Sequence, residues 1–377
     1  MRLRFLLPVV LLALPALSPG QIVIRKSGSI EVFVEATPAD SNKTSGKVRK
    51  LLEETGSVKI VDQPAGAHVV RAAFDRDSLH GTVHGPDGKR EFKEDYPWPG
   101  DGGVPRRFAS DIIIALTGGP AVATGTIVFS GLSDGKREVF ACDPDGAGLR
   151  LLTQDHNQAG SPTISPNGAR LAFTTRQPGY PVIDLLPLGE GKRERIVSSP
   201  GANEDPSFSH DGRRLAFTMT FTGNPELFTA RPGGKPHRLT SSPGAESAPS
   251  WSPDGRRLAY VYQVGNGASQ VFLTSEGGGN PVPVKSGFAW TGDPDWSPDG
   301  TMLALTVRRD GKPAVAVHVL ATGRTTVAGP GSEPAWAPDS RHLACVEDGS
   351  LVLRDIITGR KAVLVAGRDA RQPSWTR

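Results

Sequence analysis

Short apolar runs separated by Gly, Pro, Asn and Asp fill the chain from about residue 126 to its end. The stretch 248–260 shows the pattern most clearly, with apolar residues on both sides of Ser252–Gly255, which reads Ser-Pro-Asp-Gly. Pro253 presets the backbone φ of the first turn position, and Gly255 tolerates positive φ. The stretch therefore predicts two short strands joined by a tight corner.

The same stretch recurs along the chain at a nearly constant spacing. Further complete copies are Ser161–Phe173, Asp205–Phe217, Asp293–Leu305 and Glu333–Cys345, and a sixth, shorter copy is Gln372–Arg377. The leading prolines of the copies are 39 to 45 residues apart. A period near 40 residues with strand-like content is typical of a β-propeller.

Each repeat supplies four strands, which is one propeller blade. In the copy around Ser252–Gly255 the predicted strands are Pro249–Ser252, Arg257–Tyr262, Gln270–Thr274 and Pro281–Lys285. The first strands carry a large apolar residue that we expect to fill the layer between blades. These residues are Ile164, Phe208, Trp251, Trp296, Trp336 and Trp375.

The two ends of the repeat region complement each other. Residues 127–130, 138–142 and 149–153 supply a second, third and fourth strand with no first strand before them, whereas 373–376 is a first strand with nothing after it. Pairing them removes a free sheet edge. The sequence thus predicts six blades, with the first closed by the C-terminal strand.

The first 121 residues have a different pattern. Residues 1–20 combine Arg2 and Arg4 with the apolar run Phe5–Leu17, which predicts a secretory signal peptide, too short for a membrane span. Residues 21–121 alternate strand patterns with two helix patterns, Asn42–Thr55 and Arg106–Leu116. We predict a small α+β domain over 21–121, followed by the propeller over 122–377, so the fold class is mainly β.

Composition narrows the possible functions. The chain has 37% hydrophobic and 22% charged residues and a formal charge of only +4, with its Lys and Arg residues scattered. A folded protein that does not bind nucleic acid is therefore expected. Cys142 and Cys345 are the only cysteines; two buried free thiols are predicted, and a disulfide stays open.

No constellation of residues specifies catalysis, a metal or a cofactor. His80 and His84 are four apart in a strand-like stretch, which places them about 13 Å apart, too far for one metal ion. Gly131–Gly135 spells a nucleophile elbow, but it lies in a polar hairpin loop rather than a strand-turn-helix. We therefore predict no catalytic residues, no metal site and no cofactor.

Three stretches together resemble the TolB family of the Tol-Pal cell-envelope system. Arg107–Gly119, a helix pattern ending in Leu-Thr-Gly, followed by Thr126–Ser130, resembles the junction of that family between its two domains. Gln21–Ile24 resembles its N-terminal strand, and the five complete repeats plus the terminal Pro-Ser-Trp resemble its six-bladed propeller. The N-terminal domain is shorter than in the family.

The resemblance implies a non-enzymatic, monomeric periplasmic adaptor that supports outer-membrane integrity and envelope constriction at cell division. It implies binding of the Pal-type peptidoglycan-associated lipoprotein through loops entering the first strand of each blade, without direct membrane insertion. The corresponding positions are Ala202, Glu204, Asp205, Glu246, Ser247, Ala248, Asp293 and Glu333. A TolA-like inner-membrane protein would bind the N-terminal segment at Gln21, Ile22, Val23 and Ile24.

Two other functions stay open. An exported propeller enzyme, a hydrolase or lyase acting on a sugar or lactone, would need inward His, Asp or Glu side chains around a metal in the central channel. A general propeller recognition module would have the same fold and a partner unrelated to Tol-Pal.

Overall fold

The structure is a computed structural model that describes most of the chain. The described residues are 30–35, 44–55, 58–74, 78–97, 103–117, 125–154, 156–176, 179–197, 199–265, 268–357 and 359–376. Within these ranges, neither helix has the length and apolar character needed to cross a membrane. The predicted signal peptide and Gln21–Ile24 lie outside the described residues.

A five-stranded sheet with two helices forms the N-terminal part. Its strands are β1 (Glu31–Glu35), β2 (Lys59–Ile60), β3 (His68–Phe74), β4 (Ser78–His84) and β5 (Arg90–Pro97), and its helices are α1 (Thr44–Thr55) and α2 (Gly103–Thr117). The strand order is β2-β1-β3-β4-β5, with β1 parallel to both neighbours. Alternation buries Val32 and Val34 against Val48 and Leu52 of α1 and Ile112 of α2, as the sequence pattern predicts.

Six four-stranded sheets form the propeller. Blade 1 contains β29 (Arg371–Trp375), β6 (Ile127–Ser133), β7 (Lys136–Cys142) and β8 (Arg150–Leu151). Blade 2 contains β9 (Gly160–Ile164), β10 (Arg170–Arg176), β11 (Pro181–Pro187) and β12 (Glu194–Val197). Blade 3 contains β13 (Asn203–Phe208), β14 (Leu215–Met219), β15 (Glu226–Ala230) and β16 (His237–Arg238).

The remaining blades follow in chain order. Blade 4 contains β17 (Ala245–Trp251), β18 (Arg257–Val264), β19 (Ala268–Ser275) and β20 (Val282–Pro283). Blade 5 contains β21 (Thr291–Trp296), β22 (Met302–Arg309), β23 (Lys312–Val319) and β24 (Arg324–Pro330). Blade 6 contains β25 (Ser332–Trp336), β26 (His342–Glu347), β27 (Ser350–Asp355) and β28 (Lys361–Val365).

The ring closes as predicted. The C-terminal strand β29 pairs antiparallel with β6, with Trp375 opposite Ile127 and Ser374 opposite Val128. The first and last parts of the propeller sequence therefore share one sheet, and β6 has neighbours on both sides.

The Ser-Pro-Asp-Gly corners have the predicted turn chemistry. The N–H of Gly255 donates to the carbonyl of Ser252 at 2.9 Å, and Gly255 has a φ of 66°. Asp254 Oδ1 accepts from the Ser252 hydroxyl at 2.5 Å and from the N–H of Arg256 at 3.1 Å. The turn residues thus satisfy their own backbone, so the corner forms locally.

The apolar residues of the first strands fill the layer between blades, as predicted. Trp251, Trp296 and Trp336 are almost fully buried. Arginines after the corner of one blade cover the aromatic ring of the next, with Arg214 over Trp251 at 4.6 Å and Arg257 over Trp296 at 4.7 Å. Because each of these arginines joins two blades, the corner sequence also contributes to packing between blades.

The first strands begin earlier than predicted. In blade 4, β17 starts at Ala245 rather than Pro249, and β20 covers two residues rather than Pro281–Lys285. The register of β17 on β18 shifts between Ser247 and Ser250. A β-bulge at this point accommodates Pro249, which has no N–H for the ladder, so the strand continues past the proline.

Two local predictions are confirmed. Cys142 and Cys345 are both buried thiols, and neither forms a disulfide in the described part of the chain. Gly131–Gly135 forms the end of β6 and its turn into β7, where Asp134 and Gly135 both have positive φ, so the match to a nucleophile elbow has no structural basis.

Candidate functional site

Six residues with left-handed backbone surround the central channel. Each one directly precedes the leading proline of a first strand, and each has a φ between 43° and 54°. They are Ser161, Asp205, Ala248, Asp293, Glu333 and Gln372, which we call the pre-proline ring. Positive φ is costly for residues other than glycine, and here the same cost recurs in all six blades.

Side chains of the pre-proline ring hold the backbone of neighbouring blades. Gln372 Oε1 accepts from the N–H of Ser161 at 2.8 Å, and the N–H of Gln372 donates to Glu333 Oε2. The Ser161 hydroxyl donates to Asp205 Oδ1 at 2.7 Å, and Asp205 Oδ2 accepts from the N–H of Ala248 at 3.4 Å. These bonds link blades 6, 1, 2, 3 and 4, and they stop at Ala248, whose methyl group cannot accept a hydrogen bond.

The channel holds a cavity of about 420 Å³. Four carboxyl groups line it, those of Asp205, Asp293, Asp295 and Glu333, whereas its described lining residues include no lysine or arginine. The site is therefore acidic in a protein whose formal charge is positive.

Burial and the charge of neighbouring carboxyls raise the pKa of three acidic residues at or beside the channel, Asp293, Glu333 and Glu204. Burial raises the pKa of Asp293; a hydrogen bond from Thr306 opposes this, and the nearby Asp205 adds to it. Burial also raises the pKa of Glu333, partly offset by the N–H of Gln372. Burial and then Asp205 raise the pKa of Glu204, which Arg176 partly offsets. A positive group in the channel would lower this electrostatic cost.

The predicted rim residues lie in or next to first strands rather than in loops. Glu204 and Asp205 belong to β13, Asp293 to β21 and Glu333 to β25, and Ala202 directly precedes β13. Most are partly accessible. The β-bulges explain the difference, because they let each strand extend beyond its proline.

Glu246 requires a larger correction, because its side chain is only 1% exposed. Its carboxyl contacts that of Glu226 in blade 3, and the Thr240 hydroxyl is hydrogen-bonded to both. Arg238 Nη2 donates to Glu226 Oε1 at 2.7 Å. Burial and the contact with Glu226 raise the pKa of Glu246 to about 7. Glu246 is therefore half of a buried acid pair and not an accessible rim residue.

The alternating strand directions give the propeller two distinct ends. The rim face carries the connections from second to third strands and those entering first strands, such as 179–180, 199–202 and 220–225. The corner face carries the Ser-Pro-Asp-Gly corners and the connections from third to fourth strands, such as 188–193 and 356–357. The predicted partner-binding residues lie at or near the starts of first strands. The connections that enter these strands, and therefore the neighbours of these residues, belong to the rim face.

Sequence reasoning missed four residues near this face. Ser161 and Gln372 complete the pre-proline ring, and aligning the leading prolines of all six repeats would have found them. Tyr180 and Phe221 are exposed aromatic residues in turns of the rim face. The sequence pattern that could have identified them is an aromatic residue between turn-forming residues, as in Gly-Tyr-Pro for Tyr180 and Thr-Phe-Thr-Gly for Phe221.

The described residues contain no group of three or more His, Cys, Asp or Glu side chains placed to hold a metal ion. His80 instead lies 2.7 Å from Asp95, Nδ1 to Oδ1.

Residues 115–377 match the family model of the TolB beta propeller domain. The chain belongs to this TolB propeller family. The matched segment contains all six blades, the pre-proline ring and the acidic channel.

Individual TolB relatives are similar over shorter segments. A protein TolB homolog of Chlorobium chlorochromatii is 36% identical over 127 residues, which is 34% of this chain and 28% of that protein. The Tol-Pal system protein TolB of Desulfosudis oleivorans is 32% identical over 129 residues, 34% of this chain and 29% of that protein. The matched region thus spans less than a third of these relatives.

The crystal structure of TolB from Acinetobacter baumannii matches over most of its length. The TM-score is 0.81 at 21% identity, covering 92% of this chain and 96% of the other. At that identity the likeness concerns the fold, which includes both the propeller and the small N-terminal sheet.

Proposed function

We propose that this chain is a periplasmic, non-catalytic adaptor of the Tol-Pal system. It binds a Pal-type lipoprotein at the rim face, around Ala202, Glu204, Asp205, Ser247 and Ala248, and so supports outer-membrane integrity and envelope constriction. It acts as a monomer, with a signal peptide over 1–20, an N-terminal domain over 21–121 and the propeller over 122–377.

Membership of the TolB propeller family carries this proposal. The geometry is compatible with it, because hydrogen bonds between blades hold the pre-proline ring rigidly at the channel. A preorganised surface loses little entropy when a partner binds, which favours affinity. Asp293 and Glu333 line the same channel, where they would act on a partner through their charge.

Titration calorimetry of residues 21–377 against the soluble domain of the Pal-type lipoprotein from the same organism tests this function. We expect binding at micromolar or tighter affinity. Glu204→Lys places a positive charge on the rim face and should weaken binding about tenfold or more, since local charge matters most at short range.

Glu190→Lys is the matched control for that variant. Glu190 is exposed in the connection between β11 and β12 on the corner face, and its replacement changes the net charge by the same amount. We expect its affinity to stay within about twofold of the wild type. Equal effects of the two variants, or no binding by a folded wild type, would contradict the proposal.

We propose a second contact at the N-terminus, where Gln21, Ile22, Val23 and Ile24 bind a TolA-like protein. The support is the resemblance of this short apolar segment to the N-terminal strand of the family. Removing residues 21–26 should abolish binding of a TolA-like periplasmic domain while circular dichroism stays unchanged. Unchanged affinities for both the TolA-like and the Pal-type domain would refute this contact.

A further inference from the structure

Two aromatic side chains project from neighbouring blades on the rim face. Tyr180 in the turn before β11 is 54% exposed, and Phe221 in the turn after β14 is 60% exposed. Both exceed the exposure expected for aromatic rings, which usually contribute to cores. Exposed aromatic residues on a rigid frame are frequent anchors of protein interfaces.

Hydrogen bonds attach both aromatic turns to the segment 199–203. Asn203 Nδ2 donates to the carbonyls of Pro181 at 3.0 Å, Ser199 at 2.8 Å and Gly201 at 3.0 Å. These bonds hold the residue next to Tyr180. The two N–H groups of this fully buried amide are shared among the three carbonyls, so they tie the residue after Tyr180 to the segment 199–203.

The turn that carries Phe221 is held on the same segment. The N–H of Ala202 donates to Thr220 Oγ1 at 2.8 Å, and the N–H of Thr220 donates to the carbonyl of Ala202 at 3.0 Å. A Cβ added at Gly201 would lie 2.6 Å from Thr220 Oγ1 and 3.4 Å from the Phe221 nitrogen. The absence of a side chain at Gly201 therefore permits this close approach.

The same segment leads directly into the acidic channel. Glu204 and Asp205 follow Asn203 in β13, and Asp205 lines the cavity with Asp293 and Glu333. The described lining has no lysine or arginine, and Arg137 and Arg371 outside it offset only part of the charge around Glu333. A partner that covers the aromatic pair thus meets a negative field at its inner side, and the complementary partner is positive there.

We propose that Tyr180 and Phe221 form the apolar half of a docking surface for an extended protein segment with a lysine or arginine that enters the channel mouth. The inference rests on the proposed function and names the chemistry that the partner brings to the rim face. Ala202 and Asp205 are three strand residues apart, about 10 Å. The partner segment therefore carries its basic side chain within a few residues of its apolar side chain.

Calorimetry of full-length mature variants against the Pal-type domain tests the aromatic pair. We expect Tyr180→Ala and Phe221→Ala each to weaken binding about tenfold or more, as for central aromatic anchors. Ile357→Ala is the matched control, because Ile357 is 43% exposed but lies on the corner face. Binding by the double variant within twofold of wild type would overturn the inference and leave the proposed function intact.

A second experiment tests which side chains the docking surface prefers, without using the Pal-type domain. Displayed random 12-residue peptides are selected on the wild-type protein and counterselected on the Tyr180→Ala/Phe221→Ala variant. We expect enriched peptides to carry Lys or Arg within a few positions of an apolar residue. If the Pal-type domain does not bind but such peptides do, the proposed function fails and the docking surface stands. Enriched peptides without a basic residue, or with equal binding to the variant, would overturn it.

Discussion

Deleting residues 371–377 is expected to destabilise the whole propeller, lowering the free energy of unfolding by more than about 5 kcal/mol. The deletion removes β29, so β6 loses its antiparallel partner and becomes an open edge. It also removes Trp375, which is 3% exposed and packs with Ile127 and Phe129. Truncating a buried Trp alone costs about 3 to 5 kcal/mol.

The deletion further opens the pre-proline ring, because Gln372 bonds both Ser161 in blade 2 and Glu333 in blade 6. Denaturant unfolding monitored by near-ultraviolet circular dichroism, with size-exclusion chromatography for aggregation, measures the effect. Trp375→Phe retains the strand and most of the apolar contact, so it should lower the free energy of unfolding far less than the deletion does. Adding a synthetic peptide of residues 366–377 should restore stability. A deletion variant that unfolds at the wild-type denaturant concentration would contradict strand closure.

Glu246→Gln is expected to stabilise the protein above pH 7 and to leave it nearly unchanged at pH 5. Burial and Glu226 raise the pKa of Glu246 from 4.5 to about 7, so the folded state holds its proton more tightly than the unfolded chain. The stability that depends on this proton is fully present below about pH 4.5 and is lost as the pH rises through 7. Such a shift corresponds to about 3 kcal/mol.

Glu226 offsets part of that amount. Burial alone would raise the pKa of Glu226, but hydrogen bonds from Glu246, the N–H of Ser242 and Arg238 lower it overall. Because the two carboxyls titrate as a pair, we expect a net gain of about 2 kcal/mol for Glu246→Gln at pH 8.5. Glutamine keeps the shape and can donate to the Glu226 carboxylate.

Unfolding in urea at pH 5, 7 and 8.5 measures this dependence. Glu190→Gln removes a carboxyl from the exposed connection after β11 and is the matched control, with an expected effect below about 0.5 kcal/mol. If Glu246→Gln and the wild type differ in free energy of unfolding by the same amount at all three pH values, the buried acid pair is contradicted.

Much of the fold was predictable because its signals are local and repeated. The Ser-Pro-Asp-Gly corners satisfy their own backbone, as at Ser252–Gly255, so their recurrence gave the number of blades. The strand at 127–130 lacked a first strand, and the strand at 373–376 was a first strand without the rest of its blade. Pairing the two with each other therefore predicted the ring closure. The tryptophans were predictable as core because a blade has few other places for a large ring.

The candidate site was less predictable because it depends on contacts between blades. Glu246 and Glu204 have the same residue type and similar places in their repeats, yet Glu246 is buried against Glu226, whereas Glu204 remains partly exposed. The partner of Glu246 lies 20 residues earlier on another blade, and no local pattern indicates the contact. Assigning Glu246 to an accessible rim was therefore wrong.

The sequence by itself determined the fold class, the six blades, their corners and the closing strand, because turn chemistry and hydrophobic periodicity act over a few residues. Only the tertiary structure decided which side chains face the channel, because β-bulges at the six prolines change the register of each first strand by one residue. It also brought Tyr180 and Phe221 to one segment through Asn203 and Thr220. The Asn203 bond joins two blades and the Thr220 bond joins two strands of one blade, so both depend on tertiary contacts that no local sequence pattern specifies.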